Sequence, residues 1–179
     1  NTIDEPAGLV ADLFGNHNGV ASLPRPALNE AGNGMKFAMN TEPSQVVIPW
    51  SAQLNTEAFT VTMWVRALSK QTEAGNFHVH SPLVSYINEE KQGVWELKGY
   101  SIEASRTNNG QWQFFTGAGD NWNGIYHAGS VVVGTWQHLA ISYGLGTMKM
   151  MVDGVVSSTT GKTFVQNPSD DLYIGGSDT

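Results

Sequence analysis

The stretch from Gly134 to Val156, GTWQHLAISYGLGTMKMMVDGVV, constrains the fold more than any other part of the chain. From Trp136 to Tyr143 the side chains alternate, with Leu139, Ile141 and Tyr143 on one side and His138, Ala140 and Ser142 on the other. A period of two is what a strand with one buried face produces. Gly144 to Thr147 then supplies a turn, and Met148, Met150 and Val152 repeat the period on the return. Asp153-Gly154 suits a two-residue hairpin, whose central residues both need positive φ. Val155 and Val156 open a third strand, so this segment reads as an antiparallel meander.

The rest of the chain has the same character. Twenty Gly and seven Pro interrupt many short alternating runs, and no window sustains a helical period over three turns, so the expected class is all-β with little helix. The 179 residues, 40% of them hydrophobic, suit one domain spanning 1–179. Phe59, Val61, Met63 and Val65 make an apolar face opposite Thr60, Thr62, Trp64 and Arg66, which marks a central strand. Leu83 to Ile87, Tyr100 to Ser105 and Gln111 to Phe115 read as further strands, with Asn108-Asn109-Gly110 as a hairpin between the last two. Met35 to Met39 and Val46 to Ile48 are expected to pair at an edge. Leu139, Ile141, Phe59, Val61, Met63, Phe114, Met150 and Ile174 form the expected core.

Several of these stretches resemble a known family. Thr135-Trp136, the alternating strand, the Gly-rich turn and Val152-Asp153-Gly154-Val155 are similar to the LamG-like jelly-roll domains of the concanavalin A-like lectin and glucanase superfamily. Asp4-Glu5-Pro6-Ala7-Gly8 with Asp12-Leu13-Phe14-Gly15-Asn16-His17-Asn18-Gly19, then Gly34-Met35-Lys36-Phe37 with Val46-Val47-Ile48-Pro49, and Phe59 to Val65 agree in order. The resemblance implies a two-sheet antiparallel β-sandwich. It also implies one more strand after Leu172-Tyr173-Ile174-Gly175-Gly176, closing a sheet beside the N-terminal strand. Because the sequence ends at Thr179, that strand is expected to be missing or donated by a neighbour, and the domain to be excised from a longer protein.

Charge and composition narrow the partners. A formal charge of −7 with nine Lys and Arg argues against nucleic acid, which needs clustered positive charge. No apolar run approaches the length of about eighteen residues that spans a bilayer, so membrane insertion is not expected. The absence of cysteine excludes disulfides and thiolate metal sites. With the resemblance, the expected location is secreted or at the cell surface.

Three functional readings follow, of which the first is a non-catalytic carbohydrate-binding or adhesion domain. Sugar recognition needs an aromatic plane and a few orienting polar groups. The segment Thr116 to Ser130, taken as one exposed loop, carries Asp120, Asn121, Trp122, Asn123, Tyr126 and His127, with Trp122 either as the stacking ring or folded inward as a lid on the core. Trp64, beside Thr62 and Arg66, belongs either to a sugar-facing surface or, as expected, beneath a loop. Asp12, Asn16 and Asn18 are candidate oxygen ligands for calcium, although their spacing is not that of an EF-hand. His78 and His80 share a strand face but lack a third metal ligand nearby.

The second reading is a structural repeat of a surface fibre that associates with copies of itself through an open sheet edge. The third is a polysaccharide-degrading enzyme. The superfamily's glucanases carry Glu-x-Asp-x-x-Glu or Glu-x-Asp-x-Glu on one strand, its alginate lyases a Gln-Ile-His strand, and neither occurs here. Glu89 and Glu90 are adjacent, and Glu96 and Glu103 stand apart on either side of Gly99. A Gly-x-Ser-x-Gly elbow is also missing, so the expectation is that the chain is not an enzyme.

Overall fold

The computed structural model describes residues 3–4, 8–21, 27–28, 34–37, 45–68, 81–104 and 110–175. Within them fifteen strands run in chain order: β1 Ile3–Asp4, β2 Leu9–Val10, β3 Gly19–Ala21, β4 Ala27–Leu28, β5 Met35–Lys36, β6 Val46–Ile48, β7 Phe59–Val65, β8 Leu83–Lys91, β9 Val94–Ala104, β10 Gln111–Gly117, β11 Trp122–Ser130, β12 Gln137–Gly144, β13 Thr147–Val152, β14 Val155–Thr159 and β15 Leu172–Ile174. Nine strands form one antiparallel sheet in the order β1-β2-β3-β6-β15-β8-β9-β10-β11, and four form a second in the order β14-β13-β12-β7. The fold is thus the expected all-β sandwich, with no helix among the described residues.

The core lies between the two sheets. Leu83, Ile102, Phe114 and Ile125 stand opposite one another across β8, β9, β10 and β11. They pack against Leu139, Ile141, Met148, Met150 and Val152 of the smaller sheet, all nearly free of solvent. Trp112 lies in the same cluster, and its indole Nε1–H donates to Gln137 Oε1 at 3.1 Å, so the buried ring keeps its polar atom paired. Of the expected core, Phe59, Val61, Met63 and Ile174 are only half-buried. The first three lie on β7, which ends its sheet.

Three two-residue hairpins set the register. Leu145-Gly146, Asp153-Gly154 and Gln92-Gly93 have φ of 48° and 73°, 49° and 87°, and 55° and 80°. Each closes a directly paired strand end, Gly144↔Thr147, Val152↔Val155 and Lys91↔Val94. Positive φ at both central positions matches the right-handed twist of the flanking strands. The Gln92-Gly93 hairpin extends Leu83–Ile87 and Tyr100–Ser105, read as short separate strands, into one long ladder from Leu83↔Ile102 to Lys91↔Val94.

Two pairings differ from expectation. β5 pairs with β4, and β6 lies inside the large sheet between β3 and β15. β15, after which the resemblance implies one more strand, sits between β6 and β8, and residues 176–179 lie outside the described residues. Among the described residues the large sheet ends at β1 and β11 and the small one at β14 and β7. β7 has β12 on one side and, among the described residues, no strand on the other. Asn108 and Asn109 fall outside the described residues, although β9 and β10 do pair as the hairpin reading requires.

A buried polar knot joins the sheets to the chain between β14 and β15. Asn167, 1% exposed, donates to Ser85 Oγ at 3.1 Å and to Asp170 O at 2.8 Å, while its Oδ1 accepts the amides of Ser169 and Asp170. Ser85 in turn donates to Asn55 Oδ1 at 3.2 Å.

Two stability outcomes follow. Asn167→Ala removes the donor to Ser85 Oγ, leaves the Ser169 and Asp170 amides and Asp170 O without this partner and opens a small cavity, and should cost about 2–4 kcal/mol in chemical denaturation. Leu145 is fully exposed in the left-handed region, where an unbranched-at-β but bulky side chain is strained by roughly 1–2 kcal/mol. Leu145→Asn should therefore raise the unfolding midpoint.

Candidate functional site

The segment read as one loop is mostly strand. Only residues 118–121 turn, closed by the Ala118 amide donating to Asn121 O at 2.8 Å. Leu97 and Gly119 staple this turn to β9 through reciprocal backbone bonds of 2.8 and 2.9 Å. Asp120 and Asn121 are exposed at its tip. Trp122 then opens β11 opposite Gly117, and Asn123 lies opposite Thr116. Because successive strand residues face opposite ways, Trp122 and Asn123 cannot serve one surface.

Trp122 is half-buried, its ring edge-on to Tyr86 at 5.2 Å and 75°. Asn123 turns to the other face and donates to Thr163 O at 2.6 Å. Tyr126 and His127 lie further along β11, Tyr126 opposite Gln113. The turn therefore presents Asp120, Asn121 and part of Trp122 together, and separates Asn123 from them.

The turn at 12–18 is held by its own side chains. Asp12 Oδ1 accepts the Phe14 amide at 3.0 Å, and its Oδ2 accepts those of Asn16 and His17, each at 3.2 Å. Asn18 Oδ1 accepts the Asp12 amide at 2.8 Å. The Phe14 amide foremost, with those of Asn16 and His17, holds the Asp12 carboxyl below the ordinary range. Calcium takes six to eight oxygens, and here the one carboxylate already serves three N–H groups. No cluster of three His, Asp or Glu occurs among the described residues, and His78 and His80 lie outside them.

The outer face of the four-stranded sheet carries an aromatic surface that the sequence reading expected to be covered. Trp64 is 64% exposed and its ring lies 5.0 Å from that of His138, its direct neighbour on β12. The next row across the sheet is Thr62, Ala140, Met151 and Val156, and the one after it Thr60, Ser142, Lys149 and Ser158. Just past β7, the Arg66 guanidinium sits 5.4 Å above the Trp136 ring, itself 43% exposed. The Asp153 carboxylate anchors this end by accepting the His138 amide at 2.8 Å. An indole plane bordered by imidazole, hydroxyl and guanidinium groups can stack on a sugar ring and bond its hydroxyls. The signal in the sequence was Trp64 alternating with Thr; which face stays bare depends on long-range packing.

The carboxylates on β8 and β9 are tied up by ion pairs at one end and by burial at the other. Glu89 and Glu96 stand opposite each other and share Lys91 Nζ at 2.9 and 2.7 Å, and Glu96 also bonds Lys98. The Lys91 and Lys98 ammonium groups lower Glu96 to about 2, so it is ionised at neutral pH and holds no proton to donate. Glu103 faces Gln113 across the ladder, accepts the Ser101 hydroxyl at 2.8 Å, and is pushed up by burial.

The chain is similar to known proteins in fold. A family model, Laminin_G_3 of the Concanavalin A-like lectin/glucanases superfamily, matches residues 40–179. Among solved structures, domains LG4-5 of the mouse laminin α1 chain align with TM-score 0.51 and 19% identity over 75% of this chain and 32% of that one. The chain thus spans about a third of the laminin segment. Domain 4 of AbnA, an extracellular arabinanase from Geobacillus stearothermophilus in complex with arabinotriose, aligns with TM-score 0.50 and 17% identity over 97% and 96%. The carbohydrate-binding module CBM66 from Bacillus subtilis aligns with TM-score 0.46 and 15% identity over 79% and 84%. No curated protein sequence gives a significant match.

Glu103 sets a pH dependence. Its folded carboxyl holds a proton more tightly than the ordinary value of 4.5, so the native state binds more protons than the unfolded chain above that pH. Stability should fall as pH rises from 4.5 through the raised value and stay lower beyond it. Glu103→Gln should flatten that decline and raise the melting temperature at pH 7, as thermal scans across pH would show.

Proposed function

Because the chain belongs to the Laminin_G_3 family of concanavalin A-like domains, we propose that it is a non-catalytic carbohydrate-binding or adhesion domain of a secreted or surface protein, holding its glycan on the Trp64 face. The exposed Trp64 ring carries this reading. Burying part of an indole against the C–H face of a pyranose or furanose releases water from both, while His138, Thr62 and Arg66 stand at hand for its hydroxyls. The smaller Thr62, Ala140 and Met151 row extends the surface away from the ring, leaving room for a second sugar unit. The arabinotriose bound by the AbnA domain supports a sugar oligomer as ligand on this scaffold. The commitment of Glu96 to two lysines supports a binding role over hydrolysis, which needs an acid and a nucleophile side by side. Asp120, Asn121 and Trp122 form a smaller second surface at the β10 to β11 turn.

Glycan-array screening followed by titration of the strongest hit, with arabinotriose as a first soluble probe, tests the reading. Trp64→Ala should weaken binding at least about tenfold while changing stability by less than about 0.5 kcal/mol, because the ring is exposed. Trp122→Ala should lower the melting temperature by removing the contact with Tyr86, and leave affinity intact. The reverse pattern would move the site to the 118–122 turn.

A further inference from the structure

The polar turn at 12–18, which the Trp64 face leaves unused, forms one wall of an open cleft of about 550 Å3. The segment after β6 forms the other, and the lining includes Asn16, His17, Asn18, Trp50, Ser51 and Gln53. The described chain breaks off at Gly8, Ala21, Gln45 and Gly175, each at the opposite end of its strand from this cleft.

Both walls are fixed by bonds of their own. The Asp12 carboxylate accepts the amides of Phe14, Asn16 and His17, and Asn18 Oδ1 accepts that of Asp12. On the other side the Trp50 amide donates to Asp171 Oδ1 at 2.8 Å and the indole Nε1–H to Asn167 O at 3.0 Å. The ring is therefore held in one orientation while 39% exposed. His17 Nε2 and Gln53 Oε1, 3.0 Å apart, join the walls. The Asn16 side-chain amide and Asn18 Nδ2 have no hydrogen-bond partner among the described residues.

We propose that this cleft is a second binding site, for an uncharged saccharide, with the Trp50 ring against the sugar's C–H face and Asn16, Asn18 and Gln53 on its hydroxyls. The pinned indole supplies the flat apolar surface and the free amides the orienting groups, which is what sugar recognition needs. No Lys, Arg, Asp or Glu lines the cleft, and the Asp12 and Asp171 carboxylates beside it disfavour an acidic sugar. Because the ring is already oriented, little conformational freedom is lost on binding. The site stands apart from the outer face of the four-stranded sheet: Trp64 lies on β7, and Trp50 follows β6 of the larger sheet. Two sites on one domain can engage one polysaccharide at two places.

NMR of the nitrogen-labelled Trp64→Ala variant tests the cleft with the outer face disabled. Arabinotriose, cellotriose and maltotriose, each to about 10 mM, serve as uncharged probes and trigalacturonate as an acidic one. At least one uncharged probe should shift the Trp50 indole N–H resonance saturably, the resonance being identified by its loss in Trp50→Phe. Adding Asn16→Ala and Gln53→Ala should weaken that binding at least about tenfold and leave the melting temperature nearly unchanged, because both side chains are exposed. No shift with any uncharged probe, a shift that survives the two substitutions, or an equal response to trigalacturonate would each overturn the proposal. A wild type that responds at Trp50 and not at Trp64 would overturn the outer-face reading and support this one.

Discussion

A fully buried asparagine determines how the two sheets are connected. Asn167 lies where the chain leaves the small sheet and returns to the large one, and its side-chain amide makes four hydrogen bonds inside the protein. Its own carbonyl accepts the Trp50 indole N–H at 3.0 Å, and its side chain reaches Ser85 and through it Asn55. Upstream, Val165 exchanges backbone bonds with Gly99 and Gly117, at 2.8 Å each. A side chain at Gly99 would strike Ser85 O and Asn167 Cβ, so the close approach needs glycine there. In a low-dielectric interior each of these bonds is costly to break. The crossing segment is thereby fixed in register before β15 enters the large sheet.

The sequence was most informative where local chemistry and tertiary structure agree. Asp153-Gly154 and the Gly144 to Thr147 turn are short-range signals, and the meander they join appears as read. Gln92-Gly93 is the same kind of turn, but glutamine has no special tolerance of positive φ and stands in a polar run, so nothing local marked it. Asn167, followed by Pro168, Ser169 and Asp170, has the composition of a turn, and its side chain accepts the Ser169 and Asp170 amides. Its burial was not legible, because that depends on Ser85, far away in sequence. The partner of Val46–Ile48 was misread for a related reason: a short apolar run does not name its neighbour.

The aromatic residues show where side-chain exposure escaped the sequence. Trp122 was read either as a stacking ring or as a lid folded onto the core; it follows one tight turn, opens a strand and is half-buried against Tyr86. Trp64 was expected beneath a loop because indoles are usually covered. Strand alternation did place it opposite the core row, and the sheet leaves that face to solvent. Periodicity assigns a residue to one side of a sheet; only the assembled fold says which side is roofed.

The distribution of indoles gives this domain a built-in optical readout. Trp112 is 2% exposed and bonded to Gln137, so its emission should be blue-shifted and should report on integrity of the core. Trp64, 64% exposed and in contact with the His138 ring, should emit further to the red. A water-soluble quencher reaches the second ring and is barred from the first. Because Trp50, Trp95 and Trp136 are also partly exposed, the contribution of Trp64 is the difference between the wild type and Trp64→Phe, and that difference follows the outer face while Trp112 follows unfolding, without any attached dye.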